Sequence, residues 1–320
     1  MRIWRPCSYR TVGLLQICRR KDDIHADWPS VAVKIFFFHK MPVISRYQKV
    51  ALGLGALSGA ILYYYNAYSD KDSLRVHNSW TTNFTPSVKW DHNWDRRDPK
   101  SLVKPMKISD ENDENKYNEK FEAKRAKAVR HVLLIRHGQY HTDGKTDIER
   151  MLTELGRKQA DATGKRLAEL NLPYSLIVRS TMTRALETSK IIEKSLSNVP
   201  VEDDSLLIEG APIPPEPPIG HWRSEKHFFQ DGPRIEAAFR KYFHRADPSQ
   251  ENDSYTLLVC HANVIRYFVC RALQFPPEAW LRICLKHASI TWLCIFPNGR
   301  VTLFCLGDTG HMIPQNLTSS

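Results

Sequence analysis

Two histidines in this sequence each follow a short apolar run that is typical of a buried strand. His137 comes after the run at 132–135, with Arg136 between them, and His261 comes directly after the run at 257–260. An arginine beside a histidine is suited to phosphoryl chemistry, because the guanidinium binds an anion and a neutral imidazole is a nucleophile. Arg136-His137-Gly138 is a weak signal alone, so its interpretation depends on the elements around it.

From residue 131 onward, short apolar strands alternate with amphipathic helices. The pattern predicts helices after Thr183, over 235–243 and over 264–273, and it predicts five strands, at 132–135, 176–178, 256–260, 290–296 and 301–306. This alternation predicts an α/β domain with a largely parallel sheet, whose ligand site lies at the carboxyl ends of the strands. The residues expected at or near that edge are Arg136, His137, Arg184, Glu209 and His261.

Composition narrows the classes of ligand. The 320 residues include 46 Lys+Arg against 35 Asp+Glu, a formal net charge of +11 that suits nucleic acid, an anionic membrane or phosphorylated substrates. No RNA-binding aromatic signature or helix-turn-helix pattern accompanies this charge, which argues against nucleic acid. The seven cysteines include no C-x-x-C pair and no cluster with zinc spacing. We therefore expect reduced core cysteines, no metal and no cofactor.

The segment at 48–67 is predicted to be a single transmembrane anchor. It is apolar and uncharged from position 50, basic residues precede it, and three tyrosines at 63–65 close it. A buried core helix is the alternative. The extension at 1–47 begins with a basic, acid-poor stretch typical of mitochondrial targeting segments, although Met41 leaves open a second start.

A polar linker is predicted at 68–126, with a charged helix at 119–130 leading into the domain. The motif at 90–99 interrupts this linker with two tryptophans among alternating charges. One interpretation is an oligomerisation motif that inserts aromatic residues into another subunit. The other is a tail that packs on its own domain. The motif residues concerned are Trp90, Asp91, Asn93, Trp94 and Asp95.

Five motifs together resemble the histidine phosphatase, or phosphoglycerate-mutase-like, superfamily. They are L-I-R-H-G at 134–138, L-T-E-L-G-R-K-Q-A at 152–160, S-T-M-T-R-A-L-E-T at 180–188, E-G at 209–210 and C-H-A-N at 260–263. The resemblance implies a three-layer α/β/α catalytic domain at 127–312, followed by a tail at 313–320. Longer runs at 90–99, 209–218, 234–247 and 261–278 resemble the membrane-anchored mitochondrial serine/threonine protein phosphatases of this superfamily.

The resemblance implies a role for each site residue. His137 is the expected nucleophile and forms a phosphohistidine, while Arg136, Arg184 and His261 bind the phosphoryl oxygens. Glu209 is the expected general acid and then base. Asn263 is a further candidate for phosphate binding.

The resemblance also implies phosphoprotein substrates, stress-activated kinases as partners and a role in mitochondrial quality control. The motif at 90–99 predicts a homo-oligomer, and the anchor predicts a mitochondrial membrane, with the outer membrane favoured and the inner membrane as the alternative. Two departures from the family pattern bear on this. Cys260-His261-Ala262 stands where the family usually has Ser-His-Gly, and the acidic stretch at 198–204 stands where mutases carry a basic insert. The second favours hydrolysis of a phosphorylated macromolecule. A small-molecule phosphatase or mutase, and a membrane scaffold with vestigial catalysis, are the alternatives.

Overall fold

The computed structural model describes residues 86, 88–106, 110–196, 198–220 and 223–319. These residues form one six-stranded sheet with helices on both faces. The strands are β1 Arg130–Arg136, β2 Tyr174–Arg179, β3 Val201–Asp203, β4 Ser254–Cys260, β5 Ile290–Ile295 and β6 Val301–Asp308. The helices are α1 Pro99–Leu102, α2 Glu111–Ala123, α3 Glu154–Leu170, α4 Thr183–Glu193, α5 Glu225–Tyr242 and α6 Ala262–Ala272, with 3-10 turns at Ser205–Leu207, Pro277–Arg282 and Pro314–Asn316.

The strand order is β3-β2-β4-β1-β5-β6, and the first four of these strands are mutually parallel. β5 and β6 add an antiparallel edge. The predicted mixed α/β fold with a largely parallel sheet is confirmed. β3 was not predicted, and α3 was not among the clearest helices because its buried face carries glycine, alanine, threonine and glutamine rather than a run of large apolar residues.

A separate core covers each face of the sheet. Along β1 the side chains alternate, as the strand period requires, so that Val132 and Leu134 join α5 and α6. Leu133 and Ile135 join α3 and α4 on the opposite face. This arrangement gives three layers, helix, sheet and helix. The five cysteines among the described residues are free thiols. We expected all of them in the core, but Cys284 is exposed.

The predictions for the amino-terminal region concern residues that lie largely outside the described ranges. The extension at 1–47, Met41 and the anchor at 48–67 all lie there. Within the described ranges, no helix has both the length and the apolar character that crossing a bilayer requires. The charged helix predicted at 119–130 begins and ends earlier, as α2. Asp110 caps it by accepting a hydrogen bond from the Asp113 amide at 2.8 Å, a local contact that the charge pattern did not reveal.

The segment around Trp94 packs on its own domain. The Trp94 side chain is 7% exposed, its indole N–H donates to the Gly299 carbonyl at 2.8 Å, and its ring lies 6.0 Å from that of Phe239. Asp95 forms an ion pair with Arg245 at 3.0 Å, with side chains 0% and 3% exposed. These contacts match the interpretation of this segment as a tail that packs on its own domain.

Replacing Asp95 with alanine leaves the Arg245 guanidinium buried without its charge partner. We expect the free energy of unfolding to fall by about 3–5 kcal/mol, the usual cost of breaking a buried ion pair. Urea unfolding of the purified protein measures this. Asp247→Ala, which removes an exposed carboxylate from a nearby turn, is the matched control and should have little effect. Equal midpoints for the two variants would contradict the prediction.

Candidate active site

The parallel pairing of β1 and β4 places the two predicted histidines together. Arg136 lies opposite Cys260 in the register, and the His137 amide donates to the Cys260 carbonyl at 3.0 Å. Both strands end at the same edge of the sheet, so the side chains that follow them converge. The ring centroids of His137 and His261 are 5.2 Å apart.

The hydrogen bonds of His137 assign its tautomer. Nδ1 lies 2.8 Å from the Gly138 carbonyl, which only accepts, so Nδ1 carries the proton and Nε2 carries the lone pair. Arg184 Nε donates to Nε2 at 3.3 Å. Burial, followed by the positive field of its neighbours, holds the pKa of His137 well below 6.5. The imidazole is therefore neutral and nucleophilic at Nε2.

Two glycines hold this turn against α3. A Cβ atom on Gly138 would lie 2.5 Å from the Gly156 carbonyl oxygen, so only glycine permits this close approach of the backbones. The Gly138 amide also donates a hydrogen bond to Thr188 Oγ1 on α4 at 3.0 Å. Contacts with α3 and α4 thus fix the backbone next to His137.

Arg136 and Arg184 are the two arginines expected to bind the phosphoryl oxygens, and we call them the clamp arginines. Both are buried and line the same cavity. Arg136 donates to the Leu285 carbonyl at 2.7 Å, and burial lowers its pKa to about 10, so it stays charged at neutral pH. Arg184 lies with its guanidinium 4.7 Å from the centre of the Tyr140 ring. Asp147 orients it through an ion pair at 3.6 Å. Together they supply fixed positive charge beside His137.

His261 is fully buried and is held by a hydroxyl. Its Nε2 lies 2.8 Å from Ser180 Oγ, and its Nδ1 has no hydrogen-bond partner among the described residues. Burial, followed by the two clamp arginines, lowers its pKa well below 6.5. A neutral ring with Nε2 accepting from Ser180 leaves Nδ1–H as a donor for a phosphoryl oxygen.

Glu209 supplies the only carboxylate among the described residues that line this cavity, of about 390 Å³. Burial raises its pKa above 4.5, although Arg184 and Arg136 act in the opposite direction. One of its oxygens accepts from the Gly210 amide at 3.1 Å. A carboxyl group with a raised pKa keeps its proton to a higher pH than usual, which suits it to protonate a leaving group.

Asn263 lines the same cavity, but its side chain is engaged by protein groups. The amide nitrogen donates to the Gly210 carbonyl at 3.1 Å, and the amide oxygen accepts from Arg266 at 3.1 Å. Contact with phosphate therefore stays a prediction. The bonds that are present connect the start of α6 to the loop that carries Glu209.

The sequence did not indicate several residues that the structure brings to the site. Ser180 and Tyr140 contact the histidines, and Asp147 orients Arg184. His287 lies with its ring centroid 5.6 Å from that of His137, and Thr318 Oγ1 lies 2.8 Å from its Nδ1. Burial lowers the pKa of His287 to about 3. Ser180 begins the motif at 180–188 although no role was assigned to it, whereas Tyr140, Asp147 and His287 lie outside every motif.

Comparison with known proteins gives consistent matches. The family model described as histidine phosphatase superfamily (branch 1) matches residues 132–211 and 222–306. A Drosophila pseudoobscura pseudoobscura protein named serine/threonine-protein phosphatase Pgam5, mitochondrial, is 53% identical over 280 residues, which cover 86% of this chain and 96% of that protein. A protein of the same name from Drosophila willistoni is 52% identical over 281 residues, with the same coverage. The crystal structure of a Plasmodium falciparum phosphoglycerate mutase is 36% identical over 56% of this chain and 91% of its own, with a TM-score of 0.41.

Replacing Glu209 with glutamine removes the proton that the carboxyl group offers to a leaving oxygen. We expect transfer of a phosphoryl group from phosphothreonine to His137 to slow by about 10²–10⁴-fold. Transfer from p-nitrophenyl phosphate should slow much less, because nitrophenolate leaves without protonation. Rapid-quench single turnovers with both substrates measure the two rates.

The raised pKa of Glu209 predicts how activity depends on pH. In the parent protein, kcat/KM for phosphothreonine should fall as pH rises through that pKa, because the carboxyl group loses its proton. In Glu209→Gln this fall should be absent. Glu216→Gln, in the same loop but exposed, is the control. Equal slowing of both substrates would argue that Glu209 is not the acid.

Proposed function

Since this chain belongs to the histidine phosphatase superfamily, branch 1, we propose that it is a metal-independent serine/threonine protein phosphatase that acts through a phosphohistidine at a mitochondrial membrane. The observation that carries the proposal is the state of His137, neutral, tied at Nδ1 and directed at Arg184 through Nε2. The names of the relatives support the substrate class and the organelle.

The first step transfers the phosphoryl group to the protein. The Nε2 lone pair of His137 attacks phosphorus in line, the bond from phosphorus to the seryl or threonyl oxygen breaks, and Glu209 gives that oxygen a proton. Arg136, Arg184 and His261 stabilise the charge on the equatorial oxygens. The Gly138 carbonyl keeps the Nδ1 proton of His137 in place and favours the cationic ring that forms.

The second step releases phosphate. Glu209, now a carboxylate, takes a proton from water as the water oxygen bonds to phosphorus. The bond from phosphorus to Nε2 breaks, and the electron pair returns to the His137 ring. Inorganic phosphate leaves with Glu209 protonated again, so one carboxyl group serves both steps.

A phosphoprotein is favoured over a small acid because the stretch at 198–204, where mutases carry a basic insert, adds no cation to the cavity. Asp203 pairs with Arg179 at 2.5 Å, and Asp204 accepts hydrogen bonds from Lys241 and Tyr242. These carboxylates are used within the domain and do not line the cavity. Comparing a phosphopeptide with phosphoglycerate as substrate separates the two classes.

The setting of the enzyme is part of the proposal. The apolar segment at 48–67 supports a single-pass anchor, with the outer membrane favoured. Anchoring and assembly would raise the local concentration of the catalytic domain, and stress-activated kinases are the partners that the resemblance implies.

His137→Ala removes the nucleophile. We expect release of phosphate from a phosphothreonine peptide to fall to background while the protein stays folded by circular dichroism. The parent protein, quenched in alkali during turnover with a ³²P-labelled peptide, should carry label that is stable in base and lost in acid, as a phosphoramidate is. Arg300→Gln, an exposed residue outside the cavity, should retain both signals. Residual turnover in His137→Ala would overturn the mechanism.

Trp90→Ala combined with Trp94→Ala tests assembly. If the motif bridges subunits, the double variant should elute from a sizing column as a smaller species than the parent at the same protein concentration. Circular dichroism must first show that the variant is folded, since Trp94 contributes to the core. Asp91→Ala is the milder companion, because the Asp91 backbone, rather than its side chain, bonds to Gln274. An unchanged large species in the folded double variant would remove this role.

A further inference from the structure

The catalytic cavity contains two arginines that the proposed reaction does not use. Arg223 and Arg266 line it together with Arg136 and Arg184, which hold the transferred phosphoryl group. Ile219 and Leu281 supply apolar surface in the same cavity. The wall beyond the phosphate clamp is therefore cationic and partly apolar, as a peptide-binding wall would be.

Arg266 is held in place rather than extended into solvent. It lies on α6, partly buried, and donates through Nη1 to the Asn263 amide oxygen at 3.1 Å. The other end of that amide binds the Gly210 carbonyl, so the guanidinium is fixed relative to the Glu209 loop. Its buried Nε has no hydrogen-bond partner among the described residues. A guanidinium fixed in the wall of a cavity can bind an anion.

The charge balance of the cavity favours a second anion. Four arginines and one glutamate line it, a net charge of +3 with Glu209 ionised and +4 with Glu209 protonated. A phosphomonoester brings about −1.5 to −2 charge at neutral pH. Positive charge therefore remains in the cavity once the phosphate is bound.

We propose that Arg266, assisted by Arg223, forms a second anion subsite that selects phosphosites with a carboxylate side chain next to the phosphorylated residue. This inference rests on the proposed phosphoprotein phosphatase activity and specifies its substrate class as acidic phosphopeptides. The carboxylate pairs with Arg266 while Arg136 and Arg184 hold the phosphoryl group.

The test uses five phosphothreonine peptides and the full-length protein. One peptide has glutamine at positions −2, −1, +1 and +2, and each of the others replaces one of these glutamines with glutamate. We expect at least one acidic peptide to exceed the neutral peptide by about fivefold in kcat/KM, the size of a partly exposed ion pair. The preference for the acidic peptide should decrease in about 0.5 M salt, because the Debye length then approaches the length of a direct ion pair.

Variants separate charge from shape. Arg266→Gln should bring the ratio of acidic to neutral kcat/KM close to one, whereas Arg266→Lys should retain part of the preference because it keeps the charge. Arg300→Gln, which removes an exposed arginine outside the cavity, should retain the full ratio. The ratio within one variant is independent of any general loss of activity that follows from disturbing Asn263.

The outcomes distinguish this inference from the proposal on which it rests. If the parent protein releases phosphate from none of the five peptides, the proposed phosphoprotein phosphatase activity is overturned and the subsite with it. If the parent hydrolyses all five at the same kcat/KM, or if the acidic preference survives in Arg266→Gln, only the subsite is overturned. A preference lost in Arg266→Gln and kept in Arg300→Gln supports it.

Discussion

The parallel pairing of β1 with β4 is the constraint on which the site depends. The bond from the His137 amide to the Cys260 carbonyl fixes where the first histidine leaves the sheet, and the same register fixes the second. Both histidines then lie in the space between the sheet edge and the helices that follow. Without this register the rings would not face each other at 5.2 Å, and the clamp arginines would have no common target.

Burial sets the protonation state of each group in the direction that the chemistry requires. It lowers the pKa of both histidines, which keeps the nucleophile neutral, and raises that of Glu209, which keeps an acid available. It also lowers the pKa of Arg136, yet only to about 10, so the guanidinium stays charged. Burial therefore favours the neutral form of every one of these groups, and the arginine stays charged only because its ordinary pKa is far above neutrality.

The strands and the main site residues could be predicted because they carry local signals. Apolar runs predicted β1 and β4, and a histidine follows each run, directly at His261 and after Arg136 at His137. The supporting residues carry no such signal. Asp147 meets Arg184, and Thr318 meets His287, only because loops distant in sequence return to the site. The segment around Trp94 shows the same limit, since its composition did not reveal that Gly299 and Phe239 would receive the indole.

Helix α5 connects the segment around Trp94 to the loop that carries Glu209. Near its middle, the Arg234 guanidinium donates to the Ile208 carbonyl at 2.5 Å and to the Glu209 carbonyl at 3.3 Å, which holds the loop. About one and a half turns further on, Phe239 contacts the Trp94 ring, and Arg240 donates to the Trp94 carbonyl at 2.8 Å. An assembly that drew Trp94 towards a neighbouring subunit would remove contacts from the same helix that positions Glu209. The contacts of Trp94 and the support of the Glu209 loop therefore depend on the same helix.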